Sequence, residues 1–328
     1  MNPQNPDTPT DLFFSLTPHK VLEAVEAAGI PCNPVCYPLS SFENRVYEVE
    51  REDRGRVVAK FYRPGRWTEA QILEEHQFLA ELVEAEIPVC APLPFPGGGG
   101  TLARIEGIFY CVFERAGGRS PDELDDALLE RLGMLAARIH NVGASRPAEH
   151  RQLLTADTFV RQELAWMDER GVVPPGIAQR YRDAARRIAD LADERMRGVE
   201  VHRLHGDMHL GNLLLRDGLL RVVDFDDMVV GPAAQDLWLL APGRDADARQ
   251  QHEVLIEGYE RLRQFDRSTR RLFEPLRGLR IVRYAAWLAR RWHDPIFPRT
   301  WPHFGTPSYW NEETRALEEI LEITTAEN

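Results

Sequence analysis

The apolar pattern changes period once along the chain, at Ala116-Gly117-Gly118-Arg119, and no other feature constrains the fold as much. Before that point apolar residues come in short strand-like runs. Arg45-Val46-Tyr47-Glu48-Val49 and Val57 to Tyr62 flank the turn-rich Arg51-Glu52-Asp53-Arg54-Gly55, which is a hairpin signal, and Ile108 to Phe113 reads as a further buried strand. A short helix is expected over 18–29, with Val21, Leu22 and Val25 on one face and Gly29 as its stop. Thr68 opens a second helix, running to about Ala85, with Ile72, Phe78, Leu79 and Leu82 turned inward. After residue 119 helical spacing dominates, over about 121–141, 157–170, 175–198, 233–241, 246–264 and 268–293. Strand-like pieces interrupt it at 201–204, 213–215 and 220–223. The expectation is an α+β protein of two lobes, a sheet-rich 1–115 and a helix-rich 116–328.

Composition narrows the function classes. At 328 residues and 43% hydrophobic content the chain can bury a full core, and no apolar run approaches the ~20 residues of a membrane span. Met1 to Pro9 is polar and Pro-rich, without the layout of a secretory signal. A net charge of −12 argues against non-specific nucleic-acid binding, which rests on phosphate neutralisation. Cys32, Cys36, Cys90 and Cys111 match neither a zinc spacing nor a disulfide framework, so buried thiols in a reducing compartment are expected. These points predict a cytoplasmic monomer with no nucleic-acid and no membrane partner.

Lysine is nearly absent. Of 40 basic residues only Lys20 and Lys60 are lysines and the other 38 are arginine. Lys20 lies beside a polar helix start and is expected to be exposed. Lys60 sits in the apolar run Val57-Val58-Ala59-Lys60-Phe61-Tyr62, where a charge needs a reason; a compact ammonium does what a planar guanidinium cannot. Neither lysine follows a glycine, which excludes a P-loop, and there is no Gly-x-Ser-x-Gly elbow or Gly-x-Gly-x-x-Gly fingerprint.

The chemistry concentrates in Leu204-His205-Gly206-Asp207-Met208-His209-Leu210-Gly211-Asn212 and, after an Asp217-Gly218 turn, Val222-Val223-Asp224-Phe225-Asp226-Asp227. This layout predicts Asn212 and Asp224 at adjacent strand ends, with Asp207 in the loop leading to them. An amide oxygen and a carboxylate are hard ligands that suit Mg²⁺, and Asp207 would then act on a hydroxyl facing a γ-phosphate. Taken singly, each of the three is as well read as a loop or turn cap; their joint spacing favours the chemical reading. His202, His205 and His209 share no helical face and have no cysteine nearby, so zinc is not expected, and His205 is expected to hold the loop through a backbone carbonyl.

His205-Gly206-Asp207, Asn212 and Asp224 resemble the catalytic loop and metal-binding aspartate of the aminoglycoside-phosphotransferase and protein-kinase-like superfamily. Ser41-Phe42-Glu43-Asn44-Arg45-Val46-Tyr47, Val58-Ala59-Lys60-Phe61-Tyr62-Arg63-Pro64, Gln71 to Phe78 and Gln235-Asp236-Leu237-Trp238 resemble, more closely, the bacterial stress response kinase A family, over nearly the whole chain. The resemblance implies a bilobal kinase-like fold with 1–115 as the nucleotide-binding lobe and 116–328 as the catalytic and substrate lobe. It implies Asp207 as proton acceptor, Asn212 and Asp224 as Mg²⁺ ligands, with Asp224 also catalytic, and Lys60 on the α- and β-phosphates of ATP. Glu75 is the expected partner of Lys60, preferred over Glu74 because Phe78, Leu79 and Leu82 lie at i+3, i+4 and i+7 from it. Ser41 would cover the nucleotide, the backbone at Glu114, Arg115 and Ala116 would read adenine, and Asp236 would buttress the catalytic loop. The implied acceptor is a protein Ser/Thr hydroxyl, in a response to envelope or oxidative stress; the alternative is a small-molecule hydroxyl.

Three departures stand out. Ser40-Ser41-Phe42-Glu43-Asn44 replaces a Gly-rich nucleotide loop, His209 stands two residues after Asp207 where protein kinases usually carry lysine, and Phe225-Asp226 replaces Phe-Gly. No long activation segment follows Asp224, so activation-loop phosphorylation is not implied. For a cationic small molecule, Asp122, Glu123, Asp125 and Asp126 with Asp226 and Asp227 would be the carboxylate supply, although an exposed helix start favoured by the helix dipole is the better reading of the first four. Because Lys60, Asp207, Asn212 and Asp224 are all present, a catalytically dead scaffold is the weakest reading. The aromatic, Arg-rich stretch 281–292 reads as a core-packing helix with a solvated arginine edge.

Overall fold

The computed structural model describes residues 11–326; the polar N-terminal stretch discussed above lies almost wholly outside them. In chain order the elements are α1 (Asp11–Phe14), α2 (Pro18–Ala27), β1 (Cys32–Leu39), β2 (Arg45–Arg51), β3 (Arg56–Phe61), α3 (Glu69–Glu84), β4 (Ala103–Ile105), β5 (Ile108–Glu114), α4 (Asp126–Ala144), α5 (Gln162–Glu169) and α6 (Pro175–Met196). They continue with β6 (His202–Leu204), β7 (Leu213–Arg216), β8 (Leu219–Val222), β9 (Val229–Gly231), α7 (Ala234–Leu240), α8 (Ala246–Glu260), α9 (Phe273–Arg291), α10 (Ile296–Thr300) and α11 (Pro307–Ala326). The architecture is α+β. The described residues gather into two compact units, neither contiguous in sequence: the first runs to Leu124 and adds Ala148–Arg151 and His209–Asp227, and the second comprises Asp125–Pro147, Gln152–Met208 and Met228 onward.

In the first unit five antiparallel strands lie in the order β1-β2-β3-β5-β4. Strand alternation decides what β3 presents to each face. Val57, Ala59 and Phe61 join Val21, Val25, Val49, Tyr110 and Val112 in one apolar core, on the side of α2. Lys60, with its cross-strand partner Cys111, faces the other side, where Tyr62, Trp67, Ile72 and Cys111 form a second, smaller cluster. The helix opened by Thr68 is α3, held by a capping box in which the Thr68 hydroxyl accepts from the Gln71 amide and Gln71 Oε1 accepts from the Thr68 amide. The β7–β8 hairpin turns at Asp217 and Gly218, both at positive φ (51° and 77°) as a type I′ turn requires. It is fixed by Val222 N–H donating to Pro88 O and by paired bonds between Arg119 and Leu215.

Several elements differ from the sequence expectation. β1 is a full strand despite Pro34 and Pro38; it lies at the sheet edge and its register breaks between Cys32 and Cys36, the settings in which proline is tolerated. β4, β9 and α11 are also additions. The helix expected from 121 begins at Asp126, because Asp125 caps it by accepting from the Leu128 amide, and the stretch 267–272 is 3₁₀ before α9 begins. Cys32 and Cys111 are buried while Cys36 and Cys90 are partly exposed, all four as free thiols. Lys20 is not simply exposed; it pairs with Glu106.

In the second unit α4 and α8 pack at backbone contact. A Cβ placed on Gly258 would lie 2.2 Å from the Glu130 carbonyl oxygen, and one on Gly133 would lie 2.0 Å from that of Leu255. The two glycines face each other's helix, so neither helix can shift without opening the other contact. Among the described residues no helix is long and apolar enough to cross a membrane. Gly258→Ala is expected to destabilise the protein by about 1–3 kcal/mol or more through overpacking, read as a lower denaturant midpoint with unchanged slope; an unshifted midpoint would contradict the close helix contact.

Candidate active site

Lys60 is buried on β3 and surrounded by carboxylates. Its Nζ lies 3.0 Å from Asp226 Oδ1, 3.3 Å from Asp224 Oδ1 and 3.7 Å from Glu75 Oε1, and 4.8 Å from the centre of the Tyr62 ring. Burial alone would lower its pKa; Asp226, Glu75 and Asp224 together raise it well above the ordinary lysine value, so the ammonium is held charged. Two adjacent glutamates on α3 divide the work. Glu75 meets Lys60 and, at 2.8 Å, Arg151 Nη2, whereas the Glu74 carboxylate accepts backbone N–H bonds from Glu149, His150 (2.9 Å) and Arg151 (2.6 Å). Burial, helped by the nearby Asp226 and Asp224 charges, outweighs the pull of Lys60 and Arg151 and leaves the Glu75 carboxyl above the ordinary carboxylate range.

Asp226, in the place of the usual glycine, is the nearest anion to Lys60. It also accepts from Arg66 Nη1 at 2.6 Å and from Trp67 Nε1 at 3.4 Å, and its backbone carbonyl accepts from Arg151 at 2.7 Å. Burial works against its charge, but Lys60, Arg66 and Arg151 hold it far below the usual carboxylate range. Asp227 takes the second Arg66 nitrogen at 2.6 Å. Neither Asp226 nor Asp227 is thus an open carboxylate for a cationic ligand. Of the acidic run considered with them, Asp125 is a helix cap and Asp122 pairs with Arg119 at the surface.

The loop at 40–44 is tied down by arginines rather than freed by glycines. Arg63 donates to the carbonyls of Glu43 (2.9 Å) and Phe42 (3.0 Å), and its amide donates to Asn44 Oδ1 at 3.2 Å. Glu43 Oε1 lies 3.3 Å from Arg63 and 3.7 Å from Arg66, so Arg66 links this loop to Asp226 and Asp227. Ser41 sits in the same loop, partly buried. Glu114 ends β5 opposite Val57; Arg115 pairs with Glu48 and its amide donates to Arg56 O, and Ala116 follows, partly buried.

Asn212 and Asp224 come to one end of the β7–β8 hairpin, where Val223 N–H donates to the Asn212 carbonyl at 2.9 Å. Asp224 holds a left-handed backbone, φ 61°, and its side chain is 55% exposed. Among the described residues these pairs link Lys60, Arg63, Arg66 and Arg151 with Glu43, Glu75, Asp224, Asp226 and Asp227. The exposed Asp224 carboxylate and the neighbouring Asn212 amide are hard ligands that fit a divalent cation. Among the described residues no group of three or more His, Cys, Asp or Glu side chains is placed to hold a metal.

Asp207 belongs to the second unit, where its loop is held from beneath. Buried Asp236 accepts from the amides of Gly206 (2.9 Å) and His205 (3.0 Å) and meets His140 Nε2 at 3.1 Å, while Gln235 Nε2 donates to the Gly206 carbonyl at 2.9 Å. His205 does hold the loop through a ring nitrogen, its Nδ1 accepting the Asp207 amide at 3.2 Å. The Asp207 carboxylate pairs with Arg280 of α9. Arg66, Arg151 and Arg280 went unmarked in the sequence, because among 38 arginines none stands out.

Two outcomes follow from these charges. Asp226→Asn leaves Lys60 and Arg66 short of a buried partner and is expected to cost about 3–5 kcal/mol, against less than about 1 kcal/mol for the more exposed Asp227→Asn, both read by chemical denaturation. Next to Lys60, burial first and then Lys60 and Arg151 hold His76 neutral, with its pKa pushed down to about 3. The unfolded chain therefore binds the extra proton, and this stability is complete above about pH 6.5 and is lost as pH falls toward 3. His76→Gln should reduce acid-unfolding proton uptake by about one across that window; an unchanged uptake would refute the assignment.

Residues 35–296 match the model of the phosphotransferase enzyme family. Stress response kinase A of Escherichia coli (strain K12) is 40% identical over 314 residues, covering 95% of this chain and 94% of that protein. The serine/threonine protein kinase RdoA of Salmonella typhimurium (strain LT2) matches to the same extent, 40% over 95% of this chain and 94% of its own. Among solved structures, an amicoumacin kinase in complex with AMP-PNP, Ca²⁺ and Ami superposes with a TM-score of 0.75 at 18% identity, over 96% of both chains. A spectinomycin phosphotransferase in complex with ADP and spectinomycin gives 0.61 at 14% identity, over 94% of this chain and 97% of that one. The fold is that of the kinase-like phosphotransferases, and the chain belongs to the phosphotransferase enzyme family, within it to the stress response kinase A group.

Proposed function

We propose that this protein is an ATP-dependent kinase that transfers the γ-phosphoryl group to Ser/Thr hydroxyls of protein substrates, acting as a cytoplasmic monomer in a stress response. The observation that carries the reading is Lys60, one of only two lysines, held charged in a buried carboxylate cluster that also contains Asp224. A compact cation there suits the α- and β-phosphates of ATP. The protein acceptor rests on the 40% identity to stress response kinase A and RdoA, since the small-molecule kinases share the fold at 18% identity or less.

Each residue has a role that follows from its chemistry. Lys60, oriented by Glu75, neutralises phosphate charge; Ser41 and the backbone of the arginine-pinned loop close over the triphosphate; the backbone at Glu114 and Ala116 reads the adenine. Asn212 and Asp224 would hold Mg²⁺, which supplies charge neutralisation at the phosphates when bound. Asp207, on a loop fixed by Asp236, accepts the hydroxyl proton and orients the attacking oxygen. Positioning and charge stabilisation then account for the rate.

The test is transfer of labelled γ-phosphate from ATP with Mg²⁺ to myelin basic protein and to the chain itself. Acid-stable label on Ser/Thr is expected, falling by about 10²–10⁴-fold in Asp207→Ala. Lys60→Arg should fail like Lys60→Met rather than rescue it, because a planar fork does not reproduce the ammonium. Nucleotide binding with label appearing only on amino alcohols or sugars would transfer the proposal to a small-molecule acceptor.

A further inference from the structure

Resting on the proposed function, a second cation is needed where the phosphoryl group is transferred, and residue 209 is not the lysine that usually supplies it. Protein kinases usually place a lysine two residues after the proton acceptor; here His209 occupies that position. Its Nδ1 accepts the Gly211 amide at 3.0 Å, so that ring nitrogen is turned to its own loop. The charge beside Asp207 comes instead from Arg280, whose Nη1 pairs with Asp207 Oδ1.

This pair does little for the fold. The Asp207 side chain is 22% exposed and that of Arg280 37%, so solvent screens much of the pair's attraction. Both ends nevertheless sit on rigid supports. Asp236 and Gln235 fix the Asp207 loop, and two residues before Arg280 a Cβ on Gly278 would lie 2.6 Å from Ile188, so α9 is seated tightly on α6. The neighbouring arginines of α9 have other work. Arg277 lies 3.4 Å from Glu274, Arg283 stacks on Phe159 with 4.0 Å to the ring centre, and Arg290 pairs with Glu163. Among the described residues Arg280 has Asp207 as its ion-pair partner.

We propose that Arg280 is a catalytic residue that contacts the phosphoryl group in transfer while holding Asp207 in place. The geometry follows from the reaction. A hydroxyl giving its proton to Asp207 lies about 2.6–3.2 Å from that carboxylate and attacks phosphorus in line, which brings the phosphoryl oxygens into the reach of a guanidinium bound to the same carboxylate. The fork has five N–H donors, so one nitrogen can stay on Asp207 while another meets a phosphoryl oxygen. In the step the acceptor oxygen–phosphorus bond forms and the bond from phosphorus to the β–γ bridging oxygen breaks. The bonding pair leaves with ADP and the hydroxyl proton passes to Asp207. Arg280 exchanges no proton; it stabilises charge that develops on the equatorial oxygens.

The experiment uses the full chain with Mg²⁺-ATP and myelin basic protein, comparing wild type, Arg280→Ala and Arg280→Lys. Arg280→Ala is expected to lower kcat by about 10²-fold or more, with the KM for ATP changed by less than about threefold, the uniform-binding criterion. Added guanidinium should restore part of the rate to Arg280→Ala and none to Asp207→Ala, and Arg280→Lys should fall between wild type and Ala. ADP·aluminium fluoride should bind wild type tightly and Arg280→Ala weakly, at equal ADP affinity. A kcat within threefold of wild type would overturn the proposal. So would a loss confined to the acceptor KM, or one without guanidinium rescue and accompanied by a lower melting temperature in both variants. A wild-type chain that transfers phosphate to no hydroxyl acceptor would instead overturn the kinase reading on which this role depends.

Discussion

The first unit is organised around one buried ammonium. Removing Lys60 from water is costly, and the cost is met only because Glu75, Asp224 and Asp226 converge on it from a helix and from the end of the β7–β8 hairpin. Those carboxylates need further cations in turn. Arg151 completes Glu75, and Arg66 completes Asp226 and reaches Glu43 in the loop at 40–44. Strand alternation on β3, the α3 capping box and the hairpin turn at Asp217 all deliver side chains to this one network.

That arrangement explains how the loop at 40–44 can do without glycines. A Gly-rich loop reaches phosphates by backbone freedom. Here Arg63 holds the Phe42 and Glu43 carbonyls, so the loop is ordered by hydrogen bonds instead. The exchange of glycine for aspartate at 226 belongs to the same design, because the added carboxylate anchors both Lys60 and the arginine that reaches the loop. In the second unit, buried Asp236 does for the Asp207 loop what these arginines do for the loop at 40–44.

Much of this was legible from residue types. A lone lysine in an apolar strand marked Lys60, the spacing of Asn212 and Asp224 placed them at one end of a hairpin, and helical periodicity separated Glu75 from Glu74. Their roles in catalysis remain proposals, while their positions are structural facts. Long periodic helices and the Asp217-Gly218 turn were readable because their signals are local. β1 was not, because its two prolines argue against a strand unless the strand is known to lie at an edge. α11 is a different case: Trp310, Thr314, Leu317, Leu321 and Thr324 recur at helical spacing, but Pro307 and the threonines weaken the local signal. Arg66, Arg151 and Arg280 act through contacts far along the chain, and in a sequence rich in arginine nothing local separates them from the rest.

The separation between Lys60 and its carboxylates has a consequence for synthesis. Lys60 and Asp224 are 164 residues apart, and Arg66 and Asp226 are 160 apart. During translation the strand bearing Lys60 leaves the ribosome long before those anions exist. Closing the second face of the sheet at that stage would bury two cations with part of their compensation missing, so that face has reason to stay open and hydrated. The ion network on that face of the sheet can therefore be completed only once the hairpin that ends in Asp224 has been made.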